Sequence, residues 1–184
     1  ESASPPALLQ GWQEVKPGGD TQCSDGSDYA FYTRNGDPDK LLFFLQGGGA
    51  CWNLQTCDPL GKPSYTVNLE GFHPSQADGI FNFERLDNPL ADHTVVFVPY
   101  CSADVHIGDA VRQYKRPADW ITSIKSAKPS VTAIPPEFTI AHKGLANARS
   151  ALEWVDNNVS SPESVLVAGS SAGSIPSPYY AVHL

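Results

Sequence analysis

Apolar residues fall in blocks along this chain, and the blocks change period. Trp12 and Val15 stand among polar neighbours between Leu8 and Pro17, which suits a short edge strand. Tyr29-Ala30-Phe31-Tyr32-Thr33-Arg34 is rich in strand formers. Asn35 to Asp39 is a turn cluster of the hairpin kind. Lys40-Leu41-Leu42-Phe43-Phe44-Leu45-Gln46 and Thr94-Val95-Val96-Phe97-Val98-Pro99 are continuous apolar runs, as expected of strands buried on both faces. The first part therefore reads as antiparallel strands feeding a deep one. From His142 to Val159 the period becomes helical, with Leu145, Ala148, Leu152 and Val155 on one side and Arg149, Glu153 and Asp156 on others. Ser160-Ser161-Pro162 stops that helix, and Val165 to Ala168 is a further buried strand. Strand, helix, strand is a parallel crossover and predicts an α/β class. Residues 58–92 and 110–138 read as long irregular loops; the first holds Tyr65, Phe72, Phe81 and Phe83, which either wall a cleft or pin the loop to the surface.

The last apolar run leads into Gly169-Ser170-Ser171-Ala172-Gly173, which fits G-x-S-x-G. Glycines flanking a serine allow a sharp strand-to-helix turn that pushes one hydroxyl, Ser171, out at the end of the sheet. There a helix N-terminus presents N–H groups to an oxyanion. Ser170 occupies the motif's variable position. A second glycine run, Gly47-Gly48-Gly49, follows the buried run Leu41 to Gln46. Successive glycines at such a place fit a backbone that must approach a ligand closely. Gly48 and Gly49, with Ala172, are the candidate oxyanion donors.

Composition narrows the function classes. The 184 residues carry 12 Lys and Arg against 20 Asp and Glu, a net charge of −8, which argues against nucleic acid or anionic membrane as a main partner. No apolar run approaches the ~20 residues of a membrane span. The chain starts Glu1-Ser2-Ala3-Ser4-Pro5-Pro6, lacks methionine throughout and holds four cysteines, which reads as a mature exported chain, secreted or periplasmic. Cys51 and Cys57 enclose a short loop containing Trp52, and a disulfide there would stiffen the segment after the glycines. Cys23 and Cys101 could then pair, although four cysteines allow three pairings and spacing does not choose among them. Cys-x-x-Cys spacing is absent, so neither a zinc site nor another cofactor is expected. Asp104, His106 and Asp109 follow the Thr94 to Pro99 strand at near-alternate spacing. A structural hydrogen-bonding role is expected for them beside the site, since a metal would need a fourth ligand.

Taken together, Cys23-Ser24-Asp25-Gly26-Ser27, Leu45-Gln46-Gly47-Gly48-Gly49-Ala50-Cys51-Trp52-Asn53, Tyr100-Cys101-Ser102-Ala103-Asp104-Val105-His106 and Gly169-Ser170-Ser171-Ala172-Gly173 resemble the pectin acetylesterase/Notum family of α/β-hydrolases. The resemblance implies a secreted serine carboxylester hydrolase. Its fold would be α/β, the N-terminal part of an α/β-hydrolase domain, with a mostly parallel sheet and flanking helices. Ser171 would be the nucleophile, Gly48, Gly49 and Ala172 the oxyanion hole, and Trp52, Asp104 and His106 would line the site. The substrate would be a polysaccharide acetyl ester or another acyl ester. Gly49 stands where Notum has tryptophan, which leaves more room near the oxyanion. A secreted lipase or polyester hydrolase, and a non-catalytic binding module, are the alternatives.

In that fold the triad runs Ser, then Asp or Glu, then His. Only Ser174 to Leu184 follow the motif here, and they hold His183 but no carboxylate side chain. His142 and His106 come too early in the order. The expectation is an N-terminal portion of a longer domain, whose C-terminal chain or segment supplies the Asp and the His.

Overall fold

The computed structural model describes residues 11–184; the expected features among residues 1–10 lie outside it. Seven strands and four α-helices are present among the described residues. The strands are β1 (Trp12–Val15), β2 (Phe31–Arg34), β3 (Asp37–Leu45), β4 (His93–Val98), β5 (Ala110–Lys115), β6 (Glu137–His142) and β7 (Ser164–Gly169). The helices are α1 (Leu54–Cys57), α2 (Ala118–Ala127), α3 (Gly144–Asn158) and α4 (Ser177–Ala181).

The main sheet has the order β1-β2-β4-β3-β7. β1 pairs with β2 and β2 with β4 antiparallel, whereas β3 pairs with β4 and with β7 parallel. The expected mostly parallel α/β-hydrolase sheet is therefore wrong: the sheet is mixed, with as many antiparallel as parallel pairings. Nor is there a β2–β3 hairpin. Gly36 lies against the backbone of Asp92 and His93, where a Cβ would collide. Its N–H donates to Thr94 Oγ1 at 3.1 Å, and the Asp37 N–H donates to the Asp92 carbonyl at 2.6 Å. The chain thus steps over the start of β4 and leaves β4 between the two strands.

Alternation along the central strands divides the core into two faces. Leu41, Phe43, Leu45, Val96 and Val98 point to one face and are covered by Ala148, Ala151 and Val155 of α3 and by Tyr180. Leu42, Phe44, Val95 and Phe97 point to the other, with Trp12, Tyr32 and Phe81. Phe72 and Phe83 pack there too. The aromatics of residues 58–92 other than Tyr65 therefore cover this face of the sheet, and the segment itself carries 3-10 turns, a single bridge from Tyr65 to Gly49 and otherwise irregular backbone.

Residues 110–138 are not irregular as expected. β5 and β6 pair antiparallel from Ala110 opposite His142 to Lys115 opposite Glu137, with α2 between them in the chain. Cys23 bonds to Cys101 and Cys51 to Cys57. The first ties the loop before β2 to the end of β4, and the second closes the loop around α1.

Candidate active site

β7 ends at Gly169, and the chain turns through a single 3-10 turn at Ser171–Gly173 toward α4. Ser171 adopts φ +48°, a left-handed conformation that non-glycine residues seldom occupy, and its side chain is exposed. The flanking glycines make this turn possible. A Cβ on Gly169 would strike the Gly173 carbonyl, and one on Gly173 would strike the Leu45 carbonyl at the end of β3. The motif is thus packed into the sheet end and not merely flexible.

The glycine run of β3 lies beside it. The Gly47 N–H donates to Ser170 Oγ at 3.0 Å, and a Cβ on Gly47 would meet Ser171 Cβ at 2.8 Å. Gly48 packs against the Tyr100 ring and Thr66, whose N–H donates to the Gly48 carbonyl at 2.8 Å. Gly49 sits at φ +80° against the Ser64 carbonyl, where no side chain fits. Among the described residues, the N–H groups of Gly48, Gly49 and Ala172 donate to no protein acceptor. Ser170, read from the sequence as a variable position, is instead the acceptor that joins the two glycine-rich turns.

Asp104 and His106 lie in a strained loop. Ala103, Val105 and His106 have φ of 63°, 52° and 60°. Asp104 holds this loop: its carboxylate accepts from Ser102 Oγ at 2.6 Å, from the His106 N–H at 3.1 Å and from the Gly144 N–H at 2.8 Å. The last contact places a negative charge at the N-terminus of α3, where the helix dipole favours it. Burial pushes the Asp104 carboxyl above its usual range, and these donors oppose that rise. The His106 Nε2 lies 2.8 Å from the Gln46 carbonyl, so that nitrogen carries the proton and donates it. Burial lowers His106 to about 4, which keeps the ring neutral. A ring held this way is a fixed donor. Asp109 is elsewhere, paired with Lys143 at 2.9 Å.

The other histidines are also occupied away from the Ser171 hydroxyl. His142 Nδ1 donates to the Ser102 carbonyl at 3.0 Å. His183 packs edge-on to Tyr179, beside Arg149, Glu153 and Asp156 of α3. Among the described residues, no histidine or carboxylate hydrogen-bonds Ser171. Trp52 is 72% exposed on the loop after the glycines. Ligand atoms of Cys51, Cys57 and His142 lie within 4.8 Å of one another, but the two sulfurs are bonded to each other and cannot serve as thiolate ligands.

Sequence reasoning missed Gln46, Ser170 and Tyr180. Gln46 is bonded through both its main-chain groups and its side-chain oxygen. Its N–H donates to the Val98 carbonyl at 2.9 Å, and its side-chain oxygen accepts from the Tyr100 N–H at 3.1 Å. The Tyr180 hydroxyl donates to the His106 carbonyl. The only signal for these in the sequence was proximity to the two glycine-rich segments.

Comparison with known proteins bears on the family of the chain. The family model described as pectinacetylesterase matches residues 14–184. Palmitoleoyl-protein carboxylesterase NOTUM of Schmidtea mediterranea is 37% identical over 93 residues, covering 47% of this chain and 18% of that protein. The Homo sapiens protein of that name is 30% identical over 97 residues, covering 50% of this chain and 20% of that protein. The solved structure of the Wnt deacylase Notum from Drosophila shares the fold with a TM-score of 0.57 at 18% identity, over 89% of this chain and 44% of that one. These matches span less than half the length of each relative. The extent of the family match decides the assignment: this chain belongs to the pectinacetylesterase family.

Proposed function

We propose that this chain carries the nucleophile and the oxyanion hole of a secreted carboxylester hydrolase that deacylates, and specifically deacetylates, an ester substrate. The observation that carries the reading is Ser171. It is exposed at φ +48° on a strand-to-helix turn packed against Gly47, and among the described residues the N–H groups of Gly48, Gly49 and Ala172 donate to no protein acceptor. Family membership supports the bond type. The two disulfides support an oxidising compartment. No helix among the described residues is long and apolar enough to cross a membrane.

In the proposed reaction, Ser171 Oγ attacks the ester carbonyl as a histidine accepts its proton, and the alcohol leaves. The oxyanion is held by the N–H groups of Gly48, Gly49 and Ala172, and water then hydrolyses the acyl-enzyme. Loss of one such donor typically costs roughly 3–4 kcal/mol in the barrier. The histidine and its acid partner come from a further segment of the same protein, which completes a single domain with residues 1–184. The outer edge of β7 supports this. It pairs only with β3 among the described residues, and its Val165 and Leu166 are 38% and 40% exposed. An apolar, unpaired strand edge calls for a covering partner.

One relative favours a second reading. A Danio rerio protein named inactive palmitoleoyl-protein carboxylesterase notum1b is 30% identical over 98 residues, so a non-catalytic binding module has a precedent among similar proteins. Turnover of an activated acetyl ester by the full-length protein separates the two. The esterase reading expects Ser171→Ala to remove at least ~10³-fold of the rate with the fold intact. A parent no faster than Ser171→Ala supports the binding module.

A further inference from the structure

The strained loop Ala103–His106 lies between the two halves of the site. Three of its four residues occupy left-handed backbone, and Val105 is β-branched, for which that conformation is a true outlier. Such residues are strained and persist where surrounding contacts over-determine them. Here they are over-determined by Asp104, by Tyr100 and by Tyr180. The Tyr100 hydroxyl accepts from the Val105 N–H at 2.9 Å. The product of this strain is the placement of one residue, His106, whose side chain is 1% exposed.

His106 makes one contact toward each half. Its ring Nε2–H donates to the carbonyl of Gln46, the residue that precedes Gly47, at 2.8 Å. Its main-chain carbonyl accepts from the hydroxyl of Tyr180 on α4, the helix that follows Ser171. Gly47 in turn donates to Ser170 at 3.0 Å. The contacts close a ring: Gln46–Gly47 to Ser170, along the chain to Tyr180, then through His106 back to Gln46.

We infer that His106 is a positioning residue that fixes the glycine run carrying the oxyanion donors relative to the turn carrying Ser171. The inference rests on the ester-hydrolase reading above. His106 touches no reacting atom. It acts by orienting the Gln46 peptide, and through it the N–H groups of Gly48 and Gly49. A neutral, buried ring suits this task, because its donor is present at any working pH.

The test uses the full-length protein and an activated acetyl ester, with kcat expressed per active site titrated by a fluorophosphonate. His106→Ala is expected to lower kcat by about 10²-fold, the scale of a misplaced catalytic group, with KM changed by no more than about twofold. His106→Gln keeps an N–H donor and is expected to recover roughly tenfold of that loss. Tyr180→Phe keeps the ring and loses the hydroxyl, and is expected to lower kcat by roughly tenfold. A merely structural role would lower the titrated fraction and leave kcat per site unchanged. His106→Ala at about the parental kcat per site would overturn the inference, as would His106→Gln no better than His106→Ala. Should His106→Ala fail to fold, Tyr180→Phe at the parental kcat overturns it alone. A parent no faster than Ser171→Ala overturns the ester-hydrolase reading instead, and this inference with it.

Discussion

Of the two adjacent serines, Ser171 takes the strained backbone and Ser170 makes the contact between strands. Its hydroxyl accepts the Gly47 N–H at 3.0 Å and so joins the end of β3 to the end of β7. That hydrogen bond is exposed, so water can replace it, and its net worth to the fold is about 1 kcal/mol. Its larger effect is on geometry. Ser170→Ala is therefore expected to shift the urea midpoint by no more than about 1 kcal/mol equivalent while lowering kcat roughly tenfold. Equal kcat in the variant and the parent would mean that the two turns hold their places without it. The glycines at 169 and 173 were legible as turn residues. Their packing against each other and against Leu45 was not, because it depends on which strand lies beside β7.

At the scale of elements, β5, α2 and β6 form a small unit that the chain's pattern hides. β5 is mostly exposed, with Val111, Arg112, Gln113 and Lys115 all facing solvent, and α2 buries only Ile124. Over β5 and α2, where burial is so slight, hydropathy leaves little trace. The unit is held by Ile140 of β6 buried against Cys57, Tyr65 and Ala103, by stacking of Tyr114 on Phe138, with ring centroids 5.1 Å apart, and by a buried ion pair. Arg116 Nε and Nη2 donate to the two Asp58 oxygens at 2.7 and 2.8 Å, and Trp120 Nε1 adds a third contact at 2.8 Å. Burial would raise Asp58, but the donors from Arg116 and Trp120 outweigh it and hold the carboxyl below its usual range. A lowered carboxyl contributes stability that is present above its unfolded value of about 4 and lost as pH falls through the folded one. Asp58→Asn leaves Arg116 buried without a counter-charge and should cost about 3–5 kcal/mol at neutral pH. Thermal melts of parent and variant should converge on acidification below about pH 4. A difference that stays constant down to pH 2 would deny the ion pair that role. By contrast, α3 and the core strands β3 and β4 were legible, since each buries enough apolar surface to impose its period on the sequence.

For the whole molecule, the sheet order β1-β2-β4-β3-β7 places both glycine-rich turns at the same end of neighbouring strands. β3 and β7 run parallel, with Leu45 opposite Gly169, so the residues after each emerge side by side. This is why Ser171 and Gly47–Gly49 meet although more than a hundred residues separate them. That each glycine-rich segment follows an apolar strand was legible in the sequence; which strands are neighbours was not. Nor was the mixed pairing. It turns on Gly36 crossing the start of β4, a contact that no local pattern reveals. His106 and His142 are both held by main-chain carbonyls, away from Ser171. Covalent labelling tests the central claim most directly. The full-length protein is treated with a fluorophosphonate, digested and analysed by mass spectrometry. The account predicts one adduct, on Ser171, which is lost in Ser171→Ala and slowed by an ester substrate. An adduct on another residue, or ester hydrolysis that persists with Ser171 replaced, would contradict it.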